Sequence, residues 1–189
     1  MKKLFLNKKI IFEFLSITFA VFLGLMLNTW KESHHNSMLA DKSIKNIRNE
    51  IIKNKVKLSE MLSSHKVYLI TIDSLINEIK NPIKVTNREM NLEFKMMNST
   101  SWKTAKITQA VAYMDIDLVT DVAAVYGFQN YYENIIKIYS QERMTSIPET
   151  NNKISLEKLE LFVSSIIKIE KNLADYYDNI LNSVLLDKK

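Results

Sequence analysis

The sequence predicts an all-α protein: an N-terminal transmembrane helix, a long stalk or coiled-coil-like helix, and an antiparallel helical bundle. Three observations carry this. The 189 residues include two glycines, two prolines and no cysteine, so turn-makers and disulfide staples are scarce, which disfavours sandwiches, glycine-loop nucleotide folds and disulfide scaffolds. Residues 10–30, IIFEFLSITFAVFLGLMLNTW, form a predominantly apolar run. Further on, apolar residues recur at alternating three- and four-residue spacing over long stretches free of proline.

The net charge of +5 invites a nucleic-acid reading until it is divided along the chain. Lys2, Lys3, Lys8 and Lys9 precede the apolar run, Glu13 lies within it, and the remainder carries little excess. The basic excess is therefore a membrane-topology signal and not a phosphate-binding face, and no nucleic-acid partner is expected. The absence of cysteine also excludes thiolate metal sites and thiol catalysis.

The first two segments are a basic tail at 1–9 and a transmembrane anchor at 10–30. As a helix the anchor would span roughly 30 Å, the thickness of a bilayer core. Its apolar region is longer than that of a signal peptide and no small-x-small cleavage site follows it, so an uncleaved anchor is expected. Four lysines before the span against a cancelling Lys31 and Glu32 after it place the N-terminus in the cytoplasm and export everything beyond Trp30. Glu13, Ser16, Ala20, Gly24 and Asn28 fall within about 60° of Ala20 on a helical wheel. This polar, small-residue stripe is a candidate face for association with another membrane helix, because small residues permit close approach and polar ones pair across helices. The plainer reading of Glu13 is that it snorkels and pairs with Lys9.

Residues 31–80 follow as a long amphipathic helix. Ile44, Ile51, Leu58, His65, Ile72 and Ile79 repeat at seven, interleaved with Ile47, Asn54, Met61, Tyr68 and Leu75, and Asn81 and Pro82 end the run. Residues 81–100 lack a helical period and read as an irregular crossing loop with a short extended piece. The remaining helices, within 101–189, pack on the long one: a short helix at about 101–113, another at about 117–144, and a C-terminal helix with Ser155 as its N-cap. The 117–144 helix carries Leu118, Val122, Val125, Tyr132, Ile136 and Tyr139 on one side. In the C-terminal helix, Leu159, Ile166, Leu173 and Ile180 alternate with Phe162, Ile169 and Tyr176. Antiparallel packing would bury these stripes against one another, and a coiled-coil homo-oligomer is the alternative use of the pattern.

The anchor EFLSITFAVFLGLMLNTWKE and the block SWKTAKITQAVAYMDIDLVTDVAAVYGFQNYYENIIKIY resemble a family of uncharacterised bacterial membrane proteins. These have an N-terminal anchor, a Trp at its exit, a long charged helix and a central Trp-to-Tyr block. The resemblance implies a single-pass protein of the bacterial inner membrane with a periplasmic C-terminal domain. It brings no activity, cofactor or catalytic residue. Where the family often carries a glycine, Gln109 stands here, so a local difference in backbone is expected.

Trp102, Tyr113, Asp115, Asp117, Asp121 and Tyr126 form the densest cluster of distinctive residue types and a candidate binding surface. The competing reading makes the aromatics bundle core and the acids a helix N-terminus, where a cap oxygen and the macrodipole favour them. Asp117 and Asp121, at i,i+4, lack the further ligands of a metal site and the cleft of a glycosidase. His34 and His35 complete no zinc spacing. His65 and Asn54 sit at core-like heptad positions, where polar residues specify register; a partly exposed, water-satisfied His65 is expected over a buried, pH-responsive one. No catalytic, cofactor or metal site is expected. The functional expectation is a non-enzymatic, membrane-anchored envelope protein that presents its bundle for protein–protein association or scaffolding, with the lipid bilayer, a second copy or another membrane protein as partners. The alternative is an extracytoplasmic ligand-sensing domain acting through a membrane partner.

Overall fold

The computed structural model describes residues 8–80, 92–145 and 153–183. They form four α-helices and one 3-10 turn: α1 (Lys8–Lys80), α2 (Thr100–Ile107), the turn (Ala110–Tyr113), α3 (Ile116–Thr145) and α4 (Lys153–Ser183). The protein is all-α. Lys2 and Lys3 of the basic tail, the Asn81 and Pro82 stop, and residues 81–91 of the crossing loop lie outside the described residues.

α1 runs through 73 residues without interruption, roughly 110 Å at 1.5 Å per residue. The boundary drawn at residue 30 is thus a change of surroundings and not of backbone. Its N-terminal part is long and apolar enough to cross a membrane, and none of that stretch is buried against the rest of the chain. Within it the hydroxyls of Ser16, Thr18 and Thr29 donate to carbonyls four residues back at 2.8, 2.9 and 3.0 Å, so each is satisfied within the helix itself. The first buried side chain of the bundle is Ala40.

From there α1 follows its predicted heptad closely. Ile44, Ile47, Ile51, Asn54, Leu58, Met61, His65, Tyr68 and Ile72 are buried. After Ile72 the seam moves to Ile76, and Ile79 is exposed. α4 runs antiparallel to α1, as the pairings Lys55–Asp178 and His65–Glu170 show. α3 runs parallel to α1, with Tyr126 bonded to Glu50 and Gln129 to Asn54. Between these two upward helices the chain must descend, and among the described residues it begins to do so without a helix. Residues 92–99 lie non-helical alongside α1, Glu93 level with His65 and Asn98 level with Asn54, and α2 and the 3-10 turn complete the descent. The bundle is therefore up-down-up-down, with an extended strap at 92–99 leading into the short helices of its second limb.

α4 corrects one seam of the sequence reading. Leu159, Ile166, Leu173 and Ile180 are buried as expected, but their partners are Leu156, Val163, Glu170 and Tyr177. Phe162 and Ile169 are half-buried and Tyr176 is exposed. A helix wedged between two others buries a wide arc, so the large residues beside the seam pack on its flank: Phe162 stacks on Tyr139 at 3.6 Å and Tyr176 on Phe128 at 4.9 Å. Ser155 lies inside the first turn of α4 and is not its cap.

Candidate functional site

The strap poses a problem that the helices do not. An extended segment has no internal hydrogen bonds, and with no neighbouring strand its buried amides and carbonyls need side-chain partners. α1 supplies them from one face, at Asn54, Met61 and His65, and adds Glu50 for the first turn of α2. Asn54 brackets Asn98, donating from Nδ2 to its carbonyl at 2.7 Å and accepting its amide at Oδ1 at 2.9 Å. Glu50 accepts the Ser101 amide at 2.9 Å. The Met61 sulfur takes the Lys95 amide, and His65 Nε2 lies 2.9 Å from the Glu93 carbonyl.

α3 and α4 hold these groups from behind. Gln129 joins the Asn54 centre, donates to the Asn98 carbonyl at 3.3 Å and accepts from the Tyr177 hydroxyl at 2.9 Å. Glu133 accepts the Met97 amide at 3.1 Å. Tyr126 donates to Glu50 at 2.7 Å and Tyr132 to Glu170 at 2.8 Å. Burial first, and then the adjacent carboxylates, push the phenols of Tyr126 and Tyr132 far above their usual range, so both remain donors.

The most charged part of this network is His65. Its side chain is 1% exposed, which overturns the expectation of a water-satisfied ring. Nδ1 lies 2.8 Å from Glu170 Oε1 while Nε2 faces the Glu93 carbonyl. Two acceptors on two ring nitrogens are both satisfied only by imidazolium. Burial opposes that charge, but the hydrogen bond and charge of Glu170 and the Glu93 carbonyl outweigh it, and the pKa is raised. Glu170 Oε2 is buried with no hydrogen-bond partner among the described residues. His65 also lines a polar pocket of about 350 Å³ with Glu60, Met61, Ser64, Tyr68, Glu93 and Lys95.

The six residues of the candidate binding surface are not brought together. Trp102 and Tyr126 are buried and stack on each other at 6.0 Å and 9°. Asp115 caps α3, its Oδ1 accepting the amides of Asp117 at 2.9 Å and Leu118 at 3.2 Å. Asp117 and Asp121 are exposed, and Tyr113 stands at the lower end of the bundle. The stripe of Glu13, Ser16, Ala20, Gly24 and Asn28 is exposed along its whole length. Sequence reasoning missed Glu50, Gln129, Glu133 and Glu170. One signal was present for Glu170: it continues the seven-residue column of Leu156, Val163 and Tyr177.

Comparison with protein-family models, curated proteins and solved structures gives no match.

Proposed function

We propose that this chain is a non-enzymatic, single-pass membrane protein that holds a helical bundle at a set height and orientation outside the bilayer, where it associates with a second copy or another membrane protein. One observation carries this reading: α1 continues from the exposed apolar stretch into the bundle core as one helix. No linker intervenes, so any displacement of the anchor is passed to the bundle as a lever would pass it. The polar centres support the same reading, since Asn54, Gln129 and the two nitrogens of His65 are spent on the strap and on each other.

The lysine bias before the span supports an N-terminus on the cytoplasmic side and a periplasmic bundle in a bacterial inner membrane. The chain has no cysteine, so single cysteines can be introduced cleanly. Cysteines at exposed Lys45 and Leu161 should react with an impermeant thiol reagent added to the outside of spheroplasts. Labelling only after lysis, or release of the protein as a soluble species, would refute the topology. Crosslinking in intact cells then identifies the associated protein.

A further inference from the structure

Among the described residues the lowest part of the bundle is the 3-10 turn between α2 and α3, and its last residue, Tyr113, lies beside α1. Tyr113 forms a notch of about 400 Å³ with Thr29, Glu32, Ser33, Asn36 and Ser37 of that helix. Trp30, at the end of the apolar run, is adjacent in sequence to the lowest of these residues. Thr29 to Ser37 covers about 12 Å along the axis. If residues 10–30 cross the bilayer, the lower half of the notch coincides with the interfacial layer, roughly 6 Å thick on each side of the hydrocarbon.

We propose that the protein touches the bilayer a second time here, with Tyr113 in the headgroup layer of the leaflet on the bundle's side and the notch occupied by the headgroup of a zwitterionic phospholipid. This rests on the anchor reading above. Tyr113 is 48% exposed, and the apolar residues Phe22 and Leu25 of α1, one to two turns before Thr29, are exposed as well. A tyrosine at that height buries its ring and keeps its hydroxyl wet. Within a lining that is more apolar than polar, the notch presents hydroxyls from Thr29, Ser33 and Ser37, the amide of Asn36, and the carboxylate of Glu32, which faces a lipid ammonium favourably and a net anionic headgroup unfavourably. Asp115, exposed two residues after Tyr113, adds to that discrimination. A single tethering helix leaves a domain free to swing, and a second contact beside it fixes which face looks away from the membrane.

The test uses the full chain in phosphatidylcholine–phosphatidylethanolamine vesicles, with a polarity-sensitive label on single cysteines at Leu25, Ala112 and Leu161. Lipids carrying a headgroup-region or an acyl-chain quencher are added. The Leu25 label should be quenched from the acyl chains, the Ala112 label from the headgroup region, and the Leu161 label, roughly 60 Å further along α1, by neither. Tyr113→Ala should abolish quenching at Ala112, and Tyr113→Trp should preserve it. A quenched Leu25 with an unquenched Ala112 would overturn the second contact while sparing the anchor; an unquenched Leu25 would remove the anchor reading itself. A blue-shifted but unquenched Ala112 label, its shift fading as protein is diluted in lipid, would place a second copy of the chain on Tyr113. Stronger quenching when phosphatidylglycerol replaces the zwitterionic lipids would overturn the headgroup assignment.

Discussion

At the residue scale, the polar positions of the bundle face do more than interrupt a hydrophobic seam. Asn54 makes both of its Asn98 contacts at full burial, and truncation would leave the strap's amide unpaired. Asn54→Ala should cost about 2–3 kcal/mol, read from thermal or denaturant unfolding, and hydrogen exchange at Met97, Asn98 and Ser101 should accelerate first. His65 adds a pH dependence of defined sign. Its folded pKa is raised above the ordinary 6.5, so the Glu170 contact contributes fully below that pH and is lost as pH rises through the higher folded value. Stability should fall across that window with a slope of up to about 1.4 kcal/mol per pH unit, and His65→Gln should flatten it. Gln109 presents the opposite case. It terminates α2 at φ 60° and ψ 14°, a left-handed conformation that glycine adopts without a Cβ clash. The local backbone has the shape a glycine would favour, and Gln109→Gly should raise stability by about 1 kcal/mol, measured by the melting temperature.

At the element scale, α1 is two helices in one: residues 8–28 are exposed throughout, and from Ala40 onward it is the central member of a bundle. That division isolates the association face for testing. A Cβ added at Gly24 meets nothing within 4 Å, so Ala20→Leu combined with Gly24→Leu leaves the folded monomer undisturbed. If the stripe packs against another membrane helix, this variant should insert normally yet lose its crosslinks. Crosslinking equal to that of the unsubstituted protein would retire the stripe as an interface. The strap is an element in its own right: eight residues of non-helical chain take the place of a helix because Asn54, Lys57, Met61 and His65 of α1 and Gln129 and Glu133 of α3 receive its backbone.

At the scale of the whole molecule, the continuity of α1 from its exposed apolar stretch into the bundle couples the two. Replacing Ser37 and Met38, both exposed on α1 between Trp30 and Ala40, by a Gly-Gly pair should cost about 2 kcal/mol of helix propensity at most. The bundle would remain folded while its orientation relative to the bilayer broadened, as electron–electron distance measurements between the span and α4 would detect. Unchanged distance distributions would mean that contacts other than helix continuity hold the bundle in place.

Composition and period were enough for the all-α class, the membrane-length apolar run and the α1 seam from Ile44 to Ile72, because each depends on residues near one another in sequence and on the geometry of a single helix. The cap at Asp115 was legible for the same reason. Glu170 was not, since a glutamate on a heptad column reads as solvent-facing until Tyr132 and His65, 38 and 105 residues away, are seen to converge on it. Nor did the sequence show that Trp102 and Tyr126 stack inside the bundle while Tyr113 faces outward, because residue type alone does not separate core aromatics from surface ones. The strap is the clearest instance: its lack of period announced only that it was not a helix. Its course was decided by which distant side chains could satisfy its backbone, and that is a property of three helices packed together.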